Sequence, residues 1–365
     1  MNFILNHFKK LDVCLILACV FLTLIGIISI YSSSFRNGDF LNFKKQIIFL
    51  LVGLLIMFVI SFFDYGIFKN NPYLILILYF FLLLLLAGAL FFAPEIRGAK
   101  AWFKFGKISL QPIEFVKIVL IILFAKFFSM RHIEMYKLSH ILLSGFYLTL
   151  PVILVFFQSD LGSALILVLI WLGILVVSGI KLRHFLLLSL CFLLILISGW
   201  NFLLKDYQKA RLTSFFVNPD PLGTSWSQEQ AKIAIGSGGF LGKGLKKGSQ
   251  TQFMFLPEPQ TDFIFAAVCE EMGFLTISFL FLLFFLILFK AIKICQSSKF
   301  NFPKLLVSGI TTLWMAQIFV NIGMNIGISP IIGIPLPFVS YGGSALICSY
   351  FLLGLLLNIN IKNKT

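Results

Sequence analysis

The sequence predicts an all-α polytopic membrane protein, with about ten transmembrane helices in a single domain over residues 1–365 and one long loop at 205–262. Three observations predict it. Hydrophobic residues make up 59% of the chain and charged residues 12%, with a mean hydropathy of +1.01, whereas soluble domains carry roughly 25% charged residues. The apolar residues gather into runs of about 20, the length that crosses a bilayer as a helix. None of the runs shows the strict alternation of a membrane β-strand.

The runs, in order, are Leu11–Tyr31, Gln46–Phe63, Tyr73–Ala93, Gln111–Phe128, Leu138–Phe157, Leu161–Gly179, His184–Leu204, Phe263–Ile292, Leu305–Ile328 and Leu336–Ile359. Lipid offers the backbone no hydrogen-bond partners, so each run must satisfy its own amides as a helix. The first run lacks the short apolar core and small-residue cleavage site of a signal peptide and reads as a permanent span. No internal repeat is visible, which argues against an inverted-repeat transporter.

An even number of spans places both termini on one side, and the basic residues indicate the cytoplasmic side. With the N-terminus inside, fourteen Lys and Arg fall in the inner segments. Seven fall in short outer loops: Arg36, Lys44, Lys45, Arg97, Lys100, Lys104 and Lys107. The outer cluster from Arg97 to Lys107 runs against that bias and suits an anionic ligand. The net charge of +15 is spread over inter-helix loops, so membrane lipid head groups explain it better than nucleic acid. The six cysteines show no metal-type spacing and lie in or beside apolar runs, as small apolar side chains would.

The long loop is polar and glycine-rich, yet it keeps Trp226, Phe253, Phe255 and Leu256, so it is expected to be ordered and functional. Gly236–Gly244 reads as a tight turn. Residues 227–235 read as a short amphipathic helix on the membrane surface.

The acidic residues locate the chemistry. Glu114 lies inside a span, one turn before Lys117, and the two share a helix face. Such charges either pair to hold the bundle or line a polar cavity. Asp160, in a short outer turn, suits a helix N-cap and also a carboxylate facing that cavity. Asp262 closes the long loop, where Thr261 or Asp262 would cap the eighth span. A carboxylate there stays ionised beside the helix N-terminus and suits a general base, a metal ligand or a plain cap. Glu270 and Glu271, further along, read as a buried polar pair for packing. The segment from Ser329 to Ser344, with its prolines and the Gly342-Gly343 pair, reads as broken helix lining a cavity, with backbone N–H groups available to anionic oxygens. No phosphate-binding loop, dinucleotide fingerprint or paired-histidine metal motif is present.

Seven segments together resemble the SEDS family of bacterial envelope growth, which contains RodA, FtsW and SpoVE. They are Gly98-Ala99 with Trp102; Gln111-Pro112 with Glu114 and Lys117; Asp160-Leu161-Gly162; Ala231–Gly239; Leu256-Pro257-Glu258 with Thr261–Phe265; Asn321-Ile322-Gly323; and Pro335–Ser344. The short tails, Asp220–Gly223 and Gly248–Gln252 resemble the RodA branch. Ile113, Ser159 and Ala101 depart from the residues usual in the family.

The resemblance implies the SEDS fold and a peptidoglycan glycosyltransferase that polymerises lipid II at the outer face of the bacterial cytoplasmic membrane. The acceptor 4-hydroxyl would attack the donor's anomeric carbon with inversion, and undecaprenyl pyrophosphate would leave. Asp262 matches the family's essential loop aspartate and would be the general base. Glu114, Lys117 and Asp160 match its central cavity. Lys117, Arg97, Lys100 and Arg211 would neutralise the pyrophosphate, and Ser340, Gly342 and Gly343 would contact substrate. A divalent cation, Mg or Mn, held by Asp160 or Asp262, would share that task. The implied partner is a class B penicillin-binding protein that supplies the transpeptidase. A lipid II flippase or a non-catalytic scaffold for such a synthase are the competing readings.

Overall fold

A computed structural model of the chain describes residues 10–95, 98–106, 108–131, 138–188, 190 and 226–364. Its elements are α1 (Val13–Ser34), α2 (Leu41–Phe62), α3 (Gly66–Asn70), α4 (Pro72–Phe92), β1 (Phe103–Phe105), β2 (Ile108–Leu110), α5 (Pro112–Arg131), α6 (Leu138–Phe157), α7 (Leu161–Val177), α8 (Trp226–Ser237), α9 (Ser249–Gln252), α10 (Ile264–Ser297), α11 (Asn301–Ile326) and α12 (Gly343–Lys364). Among the described residues, seven helices are long and apolar enough to cross a membrane: α1, α2, α4, α6, α10, α11 and α12. The chain is a multi-pass membrane protein. α5, with four charged residues, and the shorter apolar α7 match two more of the expected spans. The expected span His184–Leu204 lies largely outside the described residues.

Burial sorts the helices into two layers. In α11 and α12, 72% and 78% of the apolar window is buried, against 28% in α2, α4 and α6. The first two form the centre, and the others turn large apolar side chains such as Leu51, Ile77, Leu84 and Phe146 outward, as lipid-facing helices do. With no hydrophobic drive between helices in lipid, close approach comes from small residues. Along the α2–α12 contact, Gly53 lies under the ring of Tyr350 and Gly354 under Met57. At the N-terminal end of α1, Asp12 caps the helix by accepting from the Leu15 N–H (3.1 Å) and takes Lys290 Nζ on both oxygens (2.6 and 2.8 Å), which fastens α1 to α10.

The eighth span differs from the expected continuous helix. Thirty-four helical residues would measure about 51 Å at 1.5 Å per residue, well beyond a hydrocarbon core of about 30 Å. The helix is broken at Gly273, where φ is +74° and ψ −176°. The break exposes backbone groups that the glycine turn of the long loop satisfies. Lys243 and Gly244 donate to the carbonyls of Glu270 and Glu271 (2.9 and 3.0 Å), while Phe274 and Leu275 donate to the carbonyls of Gly239 and Phe240 (3.0 and 3.2 Å). A Cβ on Gly273 would stand 2.1 Å from the Gly242 nitrogen, so only glycine fits this junction. The helical half after Gly273 is long enough to span by itself. The half before it, with Glu270 and Glu271, forms part of the loop assembly.

Two further differences concern loops. The basic segment before α5 folds as an antiparallel hairpin, β1 on β2, with Phe105 opposite Ile108 and Gly106 at φ +60°. The short helix α8 does not lie free on a membrane surface. Its Gln228, Ala231 and Ala234 are buried against α10 and α11, and Gln228 Nε2 donates to the carbonyls of Met324 and Ser329 (both 2.9 Å).

Candidate active site

Glu114 falls in the first turn of α5, after Pro112, which suits a first helical turn. Lys117 lies one turn on. The two pair at 2.6 Å with side-chain exposures of 6% and 3%. Asp160 is the N-cap of α7: it accepts from the Ser163 N–H (3.0 Å) and from the Ser163 hydroxyl (2.7 Å). It also lies within electrostatic reach of Lys117 and Glu114. Burial pushes the Asp160 carboxyl pKa up, against the pull of the Ser163 bonds and of Lys117. Asp160 is thus the helix cap that the sequence allowed, and it stands within reach of the Glu114–Lys117 pair.

The non-helical segment Ser329–Gly342 crosses this cluster and reaches the end of the long loop. Gly162, at the start of α7, lies so close to it that a Cβ would meet the Ile332 carbonyl oxygen at 2.3 Å. Further along, a Cβ on Gly333, at φ +68°, would stand 3.6 Å from Asp262 Oδ2. The Ser340 hydroxyl donates to the Thr261 carbonyl (2.7 Å) and accepts from the Leu336 N–H (2.8 Å), while its carbonyl accepts from Gln46 Nε2 (3.1 Å). Tyr341 N–H donates to the Gln260 carbonyl (2.8 Å). Ser340, named from the sequence as a substrate contact, therefore braces the Asp262 loop. Gly342 and Gly343 sit half-buried at the start of α12, with Gly343 against the ring of Phe49.

Asp262 is half-buried and precedes α10, but neither it nor Thr261 caps that helix. The N-cap position belongs to Phe263, with no side-chain cap bond. The reason is local: Thr261 and Phe263 donate their N–H groups to the Glu258 carbonyl (3.2 and 3.3 Å), and this turn delays the helix past Asp262. The plain cap, one of the three roles the sequence allowed Asp262, is therefore not what the structure shows. The Asp262 main-chain carbonyl accepts from Asn321 Nδ2 (3.1 Å) and Asn325 Nδ2 (3.0 Å) of α11. Asn321 belongs to a segment the sequence singled out, without a role; its contact to Asp262 spans 59 residues, which no local pattern reveals.

Glu270 answers to its expected packing role in detail. Its oxygens accept from the N–H groups of Gln250 and Thr251, the hydroxyls of Thr251 and Ser249, and Lys243 Nζ, all within 3.2 Å. Glu271 accepts from Gln252 Nε2 (2.8 Å). Of the expected phosphate-neutralising residues, Lys100 is exposed beside the Gln158 carbonyl, to which its N–H donates (3.3 Å). Arg97 and Arg211 lie outside the described residues. Among the described residues, no group of three or more His, Cys, Asp or Glu could hold a metal ion by itself.

Comparison with known proteins places this arrangement. The family model described as "Cell cycle protein", for FtsW, RodA and SpoVE, matches residues 12–365. Peptidoglycan glycosyltransferase MrdB of Escherichia coli strain K12 is 34% identical over 360 residues, covering 97% of this chain and 94% of that protein. Stage V sporulation protein E of Bacillus subtilis strain 168 is 33% identical, covering 96% of each. Among solved structures, a chain of a peptidoglycan synthase complex that coordinates polymerization and crosslinking superposes with a TM-score of 0.82 at 29% identity, covering 97% of this chain and 98% of that one. Rod shape determining protein RodA of Thermus thermophilus superposes with a TM-score of 0.72 at 26% identity, covering 97% and 98%. By the extent of these matches and the shared fold, the chain belongs to the FtsW/RodA/SpoVE family, the SEDS proteins.

Proposed function

We propose that this chain is a peptidoglycan glycosyltransferase that polymerises lipid II into glycan strands during cell elongation, with Asp262 as its general base. The observation that carries the reading is the position of Asp262. It stands at the end of the long loop, clear of the helix cap, beside Gly333 of the non-helical segment, whose neighbour Ile332 packs against Gly162, two residues after Asp160. The relatives named peptidoglycan glycosyltransferase support the reaction class.

The substrate must keep its polyprenyl tail in lipid while its sugars react in water, and a site at the outer ends of the helices meets both demands. Asp262 takes the proton of the acceptor 4-hydroxyl as it attacks the anomeric carbon of the donor. The C1–O bond to undecaprenyl pyrophosphate breaks, and the configuration inverts. One base suffices because the leaving group needs no protonation, so the paired carboxylates of a glycosidase are not required. Lys117, held by Glu114, and Lys100 supply positive charge where the pyrophosphate charge develops. Arg97 and Arg211 are proposed to join them.

A divalent cation, Mg or Mn, belongs to the proposal as a neutralising partner of the pyrophosphate. Asp160 and Asp262 are the candidate ligands, with phosphate oxygens and water completing the shell, as such cations are commonly held by one or two carboxylates plus substrate phosphates. The enzyme would lie in the bacterial inner membrane with both termini cytoplasmic, and would work with a class B penicillin-binding protein. The peptidoglycan synthase complex among its structural neighbours supports that partnership.

The test is reconstitution in liposomes with the cognate transpeptidase and lipid II, with and without a chelator. Glycan strands are expected. Lipid II crossing the bilayer without polymer would replace this reading with the flippase.

A further inference from the structure

We propose that Asn321 and Asn325 are positioning residues that set the Asp262 carboxylate for proton transfer; this rests on the reading of Asp262 as the base. The two lie one turn apart on one face of α11 and are fully buried. Asn321 Nδ2 donates both to the Asp262 carbonyl (3.1 Å) and to the Ile334 carbonyl (2.8 Å). Asn325 Nδ2 donates to the same Asp262 carbonyl (3.0 Å) and to the Asn321 carbonyl (2.8 Å), while its Oδ1 accepts from the Ala266 N–H (3.2 Å).

Two consequences follow from this geometry. First, the Asn325 amide bridges the carbonyl of Asp262 and the N–H of Ala266, the pair that an α-helical turn would join directly. A side chain from another helix thus occupies the start of α10. With the Glu258 turn, it fixes the Asp262 peptide and hence the direction of its Cα–Cβ bond. Second, Asn321 ties Asp262 to Ile334, the neighbour of Gly333, whose backbone passes beside the carboxylate. One amide sets both the base and the chain segment facing it.

The orientation of Asn321 shows that the donors govern it. Both N–H groups face carbonyls, while Oδ1 is a buried acceptor with no protein partner. Packing alone does not favour a buried unmatched acceptor.

Asn321→Ser and Asn325→Ser, purified with the parent protein, test the inference by steady-state lipid II polymerisation normalised to folded protein. Each is expected to lower kcat about 10- to 100-fold, the scale of a misplaced reacting group, with KM within about threefold. A merely structural pair would lower the amount of folded protein and leave kcat per folded molecule unchanged; that result overturns the inference. Should Asn321→Ser not fold, Asn325→Ser, which spares the bond to Ile334, carries the test. If neither folds, the pair is structural and the inference falls. Asp262→Asn in the same series separates the two claims, since parental turnover there would defeat the base itself.

Discussion

Asp262 and Glu270 lie eight residues apart on one stretch of chain, and they are held in opposite ways. Glu270 is gripped by its side chain: five donors converge on its two oxygens, and its side chain is fully buried. Asp262 is held by its main chain, through two asparagines and a turn on Glu258, and is half-buried. An acid saturated by protein donors is a strut. An acid oriented through its carbonyl keeps a defined position, here with its carboxylate beside Gly333.

Substitutions that attack the strut region should cost stability, and those around Asp262 should cost turnover. The largest loss of stability is expected from Gly273→Ala. It places a Cβ against the Gly242 backbone at a φ that L-residues avoid, and separates the loop from α10. Strain and overpacking together are expected to exceed about 4 kcal/mol, read as loss of the monodisperse folded protein. Next, Glu114→Gln leaves Lys117 buried without its ion partner and should cost about 4 kcal/mol. The double substitution Glu114→Gln with Lys117→Met should recover most of that stability, because a buried pair replaced by apolar groups is close to neutral. Thermal unfolding of the three variants checks the cycle. Glu270→Gln should cost about 3 kcal/mol, since it strips the charge from a cluster of donors and strands Lys243; a drop in Tm with unchanged kcat per folded molecule is the expected reading.

The smallest effect is a pH dependence at Asp160. Burial raises its carboxyl pKa in the fold, so between the unfolded carboxyl value and the raised one the native state binds more protons than the unfolded state. Stability therefore falls as pH rises through that window. Asp160→Asn retains a good N-cap for Ser163 and should flatten the fall. Unfolding midpoints measured across acidic to neutral pH check this, and a slope unchanged in Asp160→Asn would refute it.

Much of this was legible in the chain. Hydropathy located the spans because lipid demands continuous apolar helices. The three-residue spacing of Glu114 and Lys117 predicted their pairing, and the short turn before Leu161 predicted the Asp160 cap. The glycines of Gly236–Gly244 signalled a turn, and Gly239, Gly242 and Gly244 indeed take positive φ. What the sequence hid depends on partners distant along the chain. The break at Gly273 sits inside a run that reads as one span despite Glu270 and Glu271, and its backbone groups are met by residues some thirty positions earlier. The excessive length of that run was the available signal. The hairpin before α5 is too short to show a clear period. Asp262 looked like a cap because an acid before an apolar run usually is one; the Glu258 turn shifts the helix start by one residue, to Ile264.

The central claim is that Asp262 serves chemistry and not the fold, and one paired measurement tests it most directly. Asp262→Asn, reconstituted with lipid II and the cognate transpeptidase, should keep the parent's unfolding midpoint within about 2 °C, as a change costing under about 0.5 kcal/mol would, and lose at least about 100-fold in polymerisation rate, the scale of a removed general base. Polymer formed at the parental rate by a folded Asp262→Asn protein would contradict the account.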